Sequence, residues 1–379
     1  MVQLFPTILY SCMVGMTILA LLDVFKRPND RQTVFLKGLL LLLLTHLAGE
    51  LFIYSGAYVY APALAGAQLP FRVLLGPALY FYAHATMSPD KAADKRLWVL
   101  AISGPVLVLA AMMPFIFLIS SEDKLALANP LTRDPEQWKI ALLTCLFSAL
   151  VFIAFTLTFL GFAFRLHNAH CQQLQERFSD IEQRSVNWFK TILIIWGVTW
   201  LAFAVEFCLN ALGWRWFGSG IVLPVLEVIA LAIFIQKALA QKVLTTADKG
   251  VPHVSQKRTA ILSPDKMQLI AAKLAHAMND EKLFLQEDLS LNMLSQAITE
   301  TENHISETLS QHLQTNFFQF VNSYRIEEAK KALHDRKKLV TSIAFDVGFN
   351  SKSTFNNAFK KIVGHSPSAY RNLLQENKH

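Results

Sequence analysis

The sequence predicts an all-α protein in two parts: a seven-span transmembrane helix bundle, then a cytoplasmic all-α domain with two helix-turn-helix units. Three observations predict it. Apolar residues concentrate before about residue 240 and charges after it. Overall, 53% of the 379 residues are hydrophobic and only 17% are charged, where ordinary globular chains carry roughly a quarter. Near the C-terminal end, two segments repeat one pattern of short amphipathic helix, tight polar turn and second helix. Such a chain faces two solvents in turn, lipid and then water.

A span needs about 20 predominantly apolar residues. Seven segments qualify, at roughly 3–24, 34–56, 66–87, 97–119, 139–164, 188–212 and 218–238. Arg72, Gly76 and Pro77 interrupt the third. Pro77 removes an N–H, frees the carbonyl of Val73 and is expected to kink that span. The first segment reads as a span and not a signal peptide, because no basic residues precede it and Lys26 and Arg27 follow it. That order holds the next loop inside and the N-terminus outside. Later loops alternate accordingly. Lys91, Lys95 and Arg96 lie inside, as do Arg165, Arg177 and Arg184, while the loop 57–65 has no charge and lies outside. Trp214 and Trp216 read as an outer aromatic belt. An odd number of spans leaves everything after Lys237 in the cytoplasm. The expected division is 1–239 for the bundle, 240–262 for a polar linker and 263–379 for the cytoplasmic domain.

Within that domain, Ser263 is expected as an N-cap, with Pro264 at the first helical position and Asp265 in the first turn. Met267, Ile270, Ala271, Leu274 and Met278 follow at helical spacing. The repeated segments are 291–313 and 340–364. In the second, Gly348 suits a left-handed turn and Ser351 suits an N-cap. Phe355 and Phe359, four residues apart, face inward, which leaves Lys352, Ser353, Asn356, Asn357 and Lys360 outward. Asn fits adenine bidentately, and Lys fits guanine or phosphate. From spacing alone, an ordinary helical hairpin with a solvated polar face remains the alternative. Charge adds direction: 290–322 carries Glu300, Glu302 and Glu307 and no Lys or Arg, whereas basic residues dominate from Arg325 onward.

The segments INSIDE this domain also resemble a known family. Ile343, Ala344, Gly348, Phe349, Phe355, Phe359, Lys360, Lys361, Gly364, Pro367, Tyr370 and Arg371, with Ser353 or Thr354 at the polar position, are similar to the C-terminal signature of AraC/XylS-type DNA-binding domains. The linking helix NSYRIEEAKKAL is similar too. The resemblance implies two recognition helices whose outer faces meet double-stranded DNA. Carried over by position, the contacts are Lys352, Ser353, Asn356 and Asn357 in the second unit, with Lys360 and Lys361 on phosphate. In the first unit they are Asn303, His304, Ser306 and Glu307. That unit departs from the family in lacking cations, and Gln314 stands where Gly is usual. With FRVLLGPALYFY at 71–82, the layout resembles a membrane-tethered subgroup of these regulators. It implies a bacterial inner-membrane protein, a homodimer, and RNA polymerase as a further partner.

Ionisable groups inside lipid are costly and are usually functional or paired. His46, Glu50, Arg72, Glu206 and Glu227 all fall in the outer half of four spans: Glu50, Arg72 and Glu206 about 9 Å from the outer end at 1.5 Å per residue, Glu227 about 13 Å in, and His46 one turn below Glu50. They are expected to form a ligand pocket for an unknown small-molecule or protein signal. A buried ion-pair network is the alternative.

Cys12, Cys145, Cys171 and Cys208 lack metal-type spacing, and no phosphate loop, zinc-protease, kinase or triad motif is present. Neither an enzyme nor a cofactor is therefore expected. Two other classes stay open: a membrane-anchored adaptor whose helical domain binds a protein, and a transporter with an appended regulatory domain.

Overall fold

The structure is a computed structural model that describes residues 3–88, 91–127, 132–181, 186–211, 220–241 and 262–376. It comprises two compact units, 1–167 with 187–244, and 168–186 with 245–379. Among the described residues there is no strand, only one isolated antiparallel bridge. The all-α class is therefore as expected. The division differs at 168–186, which groups with the C-terminal part of the chain.

In the first unit, α1 (Leu4–Phe25), α2 (Arg31–Tyr54), α5 (Lys95–Phe117), α7 (Pro135–Gln175) and α9 (Val222–Ala240) are each long and apolar enough to cross a membrane. Two of the seven expected spans differ from these. The third is broken into α3 (Leu69–Val73) and α4 (Leu75–Met87). The break falls at Leu74, beside the carbonyl that Pro77 leaves without its helical donor. The sixth is α8 (Asn187–Ala211), whose uninterrupted apolar part is Asn187–Phe203. A short α6 (Ser121–Ala126) follows α5, capped by Ser120. Trp214, Trp216, Arg184 and nearly all of the 240–262 linker lie outside the described residues.

In this unit buried aliphatic and aromatic side chains form the core, while many large aliphatic ones remain on the outside. Val73, Val108, Met112, Val151 and Phe152 form one buried cluster of α3, α5 and α7. Leu19, Val99 and Leu150 are 68%, 70% and 64% exposed. At 41 residues, α7 is about 60 Å long, twice a hydrocarbon core.

The second unit begins its helical array with α10 (Pro264–Asn279), whose Ser263 hydroxyl accepts from the Lys266 amide as the sequence leads one to expect. Met267, Ile270, Leu274 and Met278 are buried. Then come α11 (Leu291–Ala297), α12 (Glu302–Glu307) with a π-helical continuation over Thr308–His312, and the linking helix α13 (Phe317–Ala332). The last three are α14 (Val340–Asp346), α15 (Lys352–Val363) and α16 (Pro367–Glu376). Two cores result. One gathers Leu274, Leu294, Ile305 and Phe317 around α11 and α12. The other gathers Ile326, Ile343, Phe349, Phe355 and Phe359 around α14 and α15. Helix α13 contributes to both, so it fixes the relation of the two helical pairs.

The turns explain why each pair closes tightly. Gly348 has φ +90°, and a Cβ there would sit 2.6 Å from the Phe284 carbonyl oxygen, so only glycine fits. In the first pair the same turn is made by Thr299 at φ +55°. Gln314 also takes a left-handed φ of +51°, the conformation that glycine would supply there without strain.

Candidate nucleic-acid interface

Helix α15 is held at both ends. Its N-cap Ser351 accepts from the Thr354 amide, and Gly364 ends it in the left-handed region at φ +86°. Phe355, Ala358 and Phe359 are buried, with Phe359 edge-on to both Phe355 and Tyr370. Locking that face fixes the direction of the other. Lys352, Ser353, Asn357, Lys360 and Lys361 are exposed and Asn356 is half-buried. Ser353 shares a hydrogen bond with Ser351 at 2.9 Å. Among the described residues, Lys352, Lys360 and Lys361 make no ion pair, whereas Lys330, Lys331 and Lys338 pair with Glu327, Glu328 and Asp346. Uncommitted cations thus gather on α15.

In the first pair, Asn303, His304, Ser306 and Glu307 are all half-buried. The acids noted in the sequence are largely spent on the fold. Glu307 accepts from the Leu262 amide at 3.1 Å, and Glu302 accepts from Asn292 at 2.8 Å. The Glu300 side chain is largely covered and accepts from Lys273 and Lys266 at 2.7 and 2.9 Å. These two ammonium groups hold its carboxyl well down, at about 2, and His304 adds to the effect.

Sequence reasoning placed Arg325 at the head of a basic surface, and there it misleads: Arg325 is fully buried. It donates from Nε to the Phe284 carbonyl and from Nη2 to the Gln286 carbonyl, both at 2.7 Å. Its guanidinium also lies 5.4 Å from the centre of the Phe349 ring. Burial lowers it to about 10, which leaves it charged at neutral pH. Its place in an amphipathic helix beside Glu327 and Glu328 gave no sign of this.

A family profile described as a helix-turn-helix domain matches residues 294–373, from α11 into α16. The C-terminal unit carries an AraC-type helix-turn-helix domain. An "uncharacterized HTH-type transcriptional regulator" of Staphylococcus aureus is 33% identical over 121 residues, 32% of this chain and 15% of that protein. The melibiose operon regulatory protein of Escherichia coli K12 is 30% identical over 90 residues, 24% of this chain and 30% of that protein. The chain therefore spans well under half the length of these relatives. No solved structure gives a significant match.

The first unit, outside the AraC-type domain, brings together four of the five ionisable residues singled out from the sequence: His46, Glu50, Arg72 and Glu227. Arg72 Nη1 donates to Glu50 Oε1 at 3.1 Å, and its guanidinium lies 3.8 Å from the centre of the Phe203 ring. His46 Nε2 lies 3.7 Å from Glu227 Oε1, and its Nδ1 lies 4.0 Å from Glu50. Tyr10 completes the group by donating to Glu227 Oε2 at 2.8 Å. Sequence reasoning missed Tyr10, although a phenol within an apolar run is a signal it carries. Glu206 instead accepts from the Gly220 amide at 2.9 Å. A cavity of about 40 Å³ beside His46 and Glu227 has room for little more than one water. A separate, mostly apolar cavity of about 360 Å³ is lined by Tyr58, Phe115, Lys124 and Trp138, which the sequence did not single out.

Proposed function

We propose that the chain is a membrane-bound, sequence-specific DNA-binding transcription regulator that couples a periplasmic or bilayer signal to transcription. The observation that carries this reading is the polar, cationic face of α15, fixed by buried Phe355 and Phe359 on an AraC-type domain. Five long apolar helices with outward aliphatic side chains support anchoring in a membrane; α3 with α4, and α8, complete seven spans in this reading. In this reading the AraC-type domain lies in the cytoplasm, and the protein belongs to a bacterial inner membrane and acts as a homodimer. The adaptor alternative loses its main support, because Glu300, Glu302 and Glu307 are engaged within the domain.

In this reading Lys352, Asn356 and Asn357 read base edges, Ser353 and the first-pair residues Asn303, His304, Ser306 and Glu307 position the domain, and Lys360 and Lys361 meet phosphate. Full-length protein in lipid nanodiscs, offered random duplexes, should retain a defined sequence. Asn357→Ala should weaken that duplex by about 1–3 kcal/mol and random DNA little. Lys361→Ala should weaken both and flatten the salt dependence. Equal losses on both duplexes for Asn357→Ala would reject the assignment.

The signal site in this reading is the group formed by His46, Glu50, Arg72 and Glu227, with Glu206 nearby in the same outer half. A signal must favour one arrangement of the helices over another to have any effect, and Glu227 lies on α9, the last helix before the linker. Glu227→Gln should change reporter output at unchanged protein level in the membrane. A purely structural network would instead lower the level, because breaking a buried pair costs about 3–5 kcal/mol. Normal level with unchanged output would remove the cluster as the signal site.

A further inference from the structure

Helix α7 ends at Gln175, and the residues just after it belong to the compact unit that holds the AraC-type domain. Phe178 forms an antiparallel bridge with Ser290. The Ser179 amide donates to the Leu289 carbonyl at 3.2 Å, and the Leu291 amide donates to the Arg177 carbonyl at 2.9 Å. The Ser179 hydroxyl also donates to the Leu289 carbonyl, at 2.7 Å. From the other side, Asn322 Nδ2 donates to the Ser179 carbonyl at 3.1 Å, and Arg325 Nη2 donates to the Ser179 hydroxyl at 3.2 Å. Every polar group of Ser179 is therefore satisfied within this unit, and Phe178, Ser179 and Asp180 are all buried.

The partners are informative. Ser290 is the N-cap of α11, the first helix of the first helix-turn-helix pair. Asn322 and Arg325 lie in α13, which links the two pairs. One short segment thus grips the first pair and the linking helix together. In the sequence this segment stands between two apolar helices, α7 and α8, far from the linker that precedes α10.

We infer that Arg177–Asp180 is a docking strap through which the chain between α7 and α8 holds the DNA-binding domain directly, so that movement of these helices reaches the two helix-turn-helix pairs without passing through the linker. The inference rests on the regulator reading above. It gives the DNA-binding domain an interaction surface, the edge 289–291 with Asn322 and Arg325, whose partner is a segment of the same chain. A C-terminal fragment starting after the linker lacks part of its own fold.

The test uses the full-length chain in nanodiscs. Phe178 and Ser290 face each other as the narrow, non-hydrogen-bonded kind of antiparallel pair, which suits a disulfide. Phe178→Cys with Ser290→Cys, with the native cysteines replaced by Ser and a protease site inserted in the linker, should keep the C-terminal fragment attached after oxidation and cleavage. Release of that fragment under oxidising conditions would overturn the strap. Ser179→Pro should speed hydrogen exchange in 284–291 and 317–332 and weaken binding to the retained duplex about tenfold. Inserting eight Gly and Ser residues in the linker should change neither. The opposite pattern, a linker insertion that weakens binding and a Ser179→Pro chain that behaves as the parent, would assign the coupling to the linker. Should the parent retain no defined duplex, the regulator reading fails, while the disulfide and exchange results still decide the strap.

Discussion

Arg325→Ala should strongly destabilise the DNA-binding domain while leaving the apolar helices in place. The side chain is fully buried and donates to the Phe284 and Gln286 carbonyls at 2.7 Å each. Truncation takes the side-chain donor from the Phe284 carbonyl, one of two donors from the Gln286 carbonyl and one bond from the Ser179 hydroxyl, and opens a void beside Phe349. The buried acceptors left behind and the lost charged hydrogen bonds together cost about 3–5 kcal/mol. A domain of this size is stable by only about 5–15 kcal/mol. Lysine keeps the charge but not the forked donors, so Arg325→Lys should recover only part of the loss. Pulse proteolysis in urea, read with a C-terminal tag on the full-length chain, measures this domain separately, because all seven tryptophans precede residue 217. A midpoint equal to the parent's would mean that the buried network contributes little.

Gly348→Ala should be nearly as severe for a different reason. An L-residue at φ +90° is strained, at about 1–2 kcal/mol. Its Cβ would also meet the Phe284 carbonyl oxygen at 2.6 Å and the Leu285 carbonyl oxygen at 2.8 Å. These are backbone atoms, which cannot rotate aside as a side chain would, so the 284–285 segment itself must shift. A total near 3–4 kcal/mol follows, within the range seen for strain at special backbone positions. The same proteolysis measurement checks it. The two variants act on one carbonyl, that of Phe284, so their combined effect should fall short of the sum.

Much of this was legible in the sequence where local chemistry decides the outcome. Ser263, Ser351 and Gly348 announced their caps and turn, because a hydroxyl or a missing Cβ has few other uses at those positions. The inward phenylalanines of α15 followed from a spacing of four. The broken third span followed from Pro77, whose missing N–H acts within one turn. What stayed hidden depends on distant partners. Arg325 reads as a surface cation until the 284–287 carbonyls surround it. Glu300, Glu302 and Glu307 read as an acidic face until Lys266, Lys273, Asn292 and the Leu262 amide claim them. The grouping of 168–186 with the C-terminal unit joins residues more than a hundred positions apart, and no periodicity carries such information. Among the polar groups of the apolar helices, depth along the span brought out His46, Glu50, Arg72 and Glu227, but depth gives no rotation about the helix axis, and so neither their pairing nor the role of Tyr10 could be read.

In the proposed reading the intact chain, while anchored by its apolar helices, occupies specific DNA through α15. The most direct measurement is cross-linking in living cells, separation of the membrane fraction, and capture of the tagged chain with its bound DNA. The account predicts a small set of discrete DNA sites recovered with the full-length 42.7 kDa chain from the membrane fraction, and their loss when Asn356 and Asn357 are both replaced by Ala. Recovery of those sites only with a shorter, freed C-terminal fragment in the soluble fraction, or of no discrete sites at all, would contradict it.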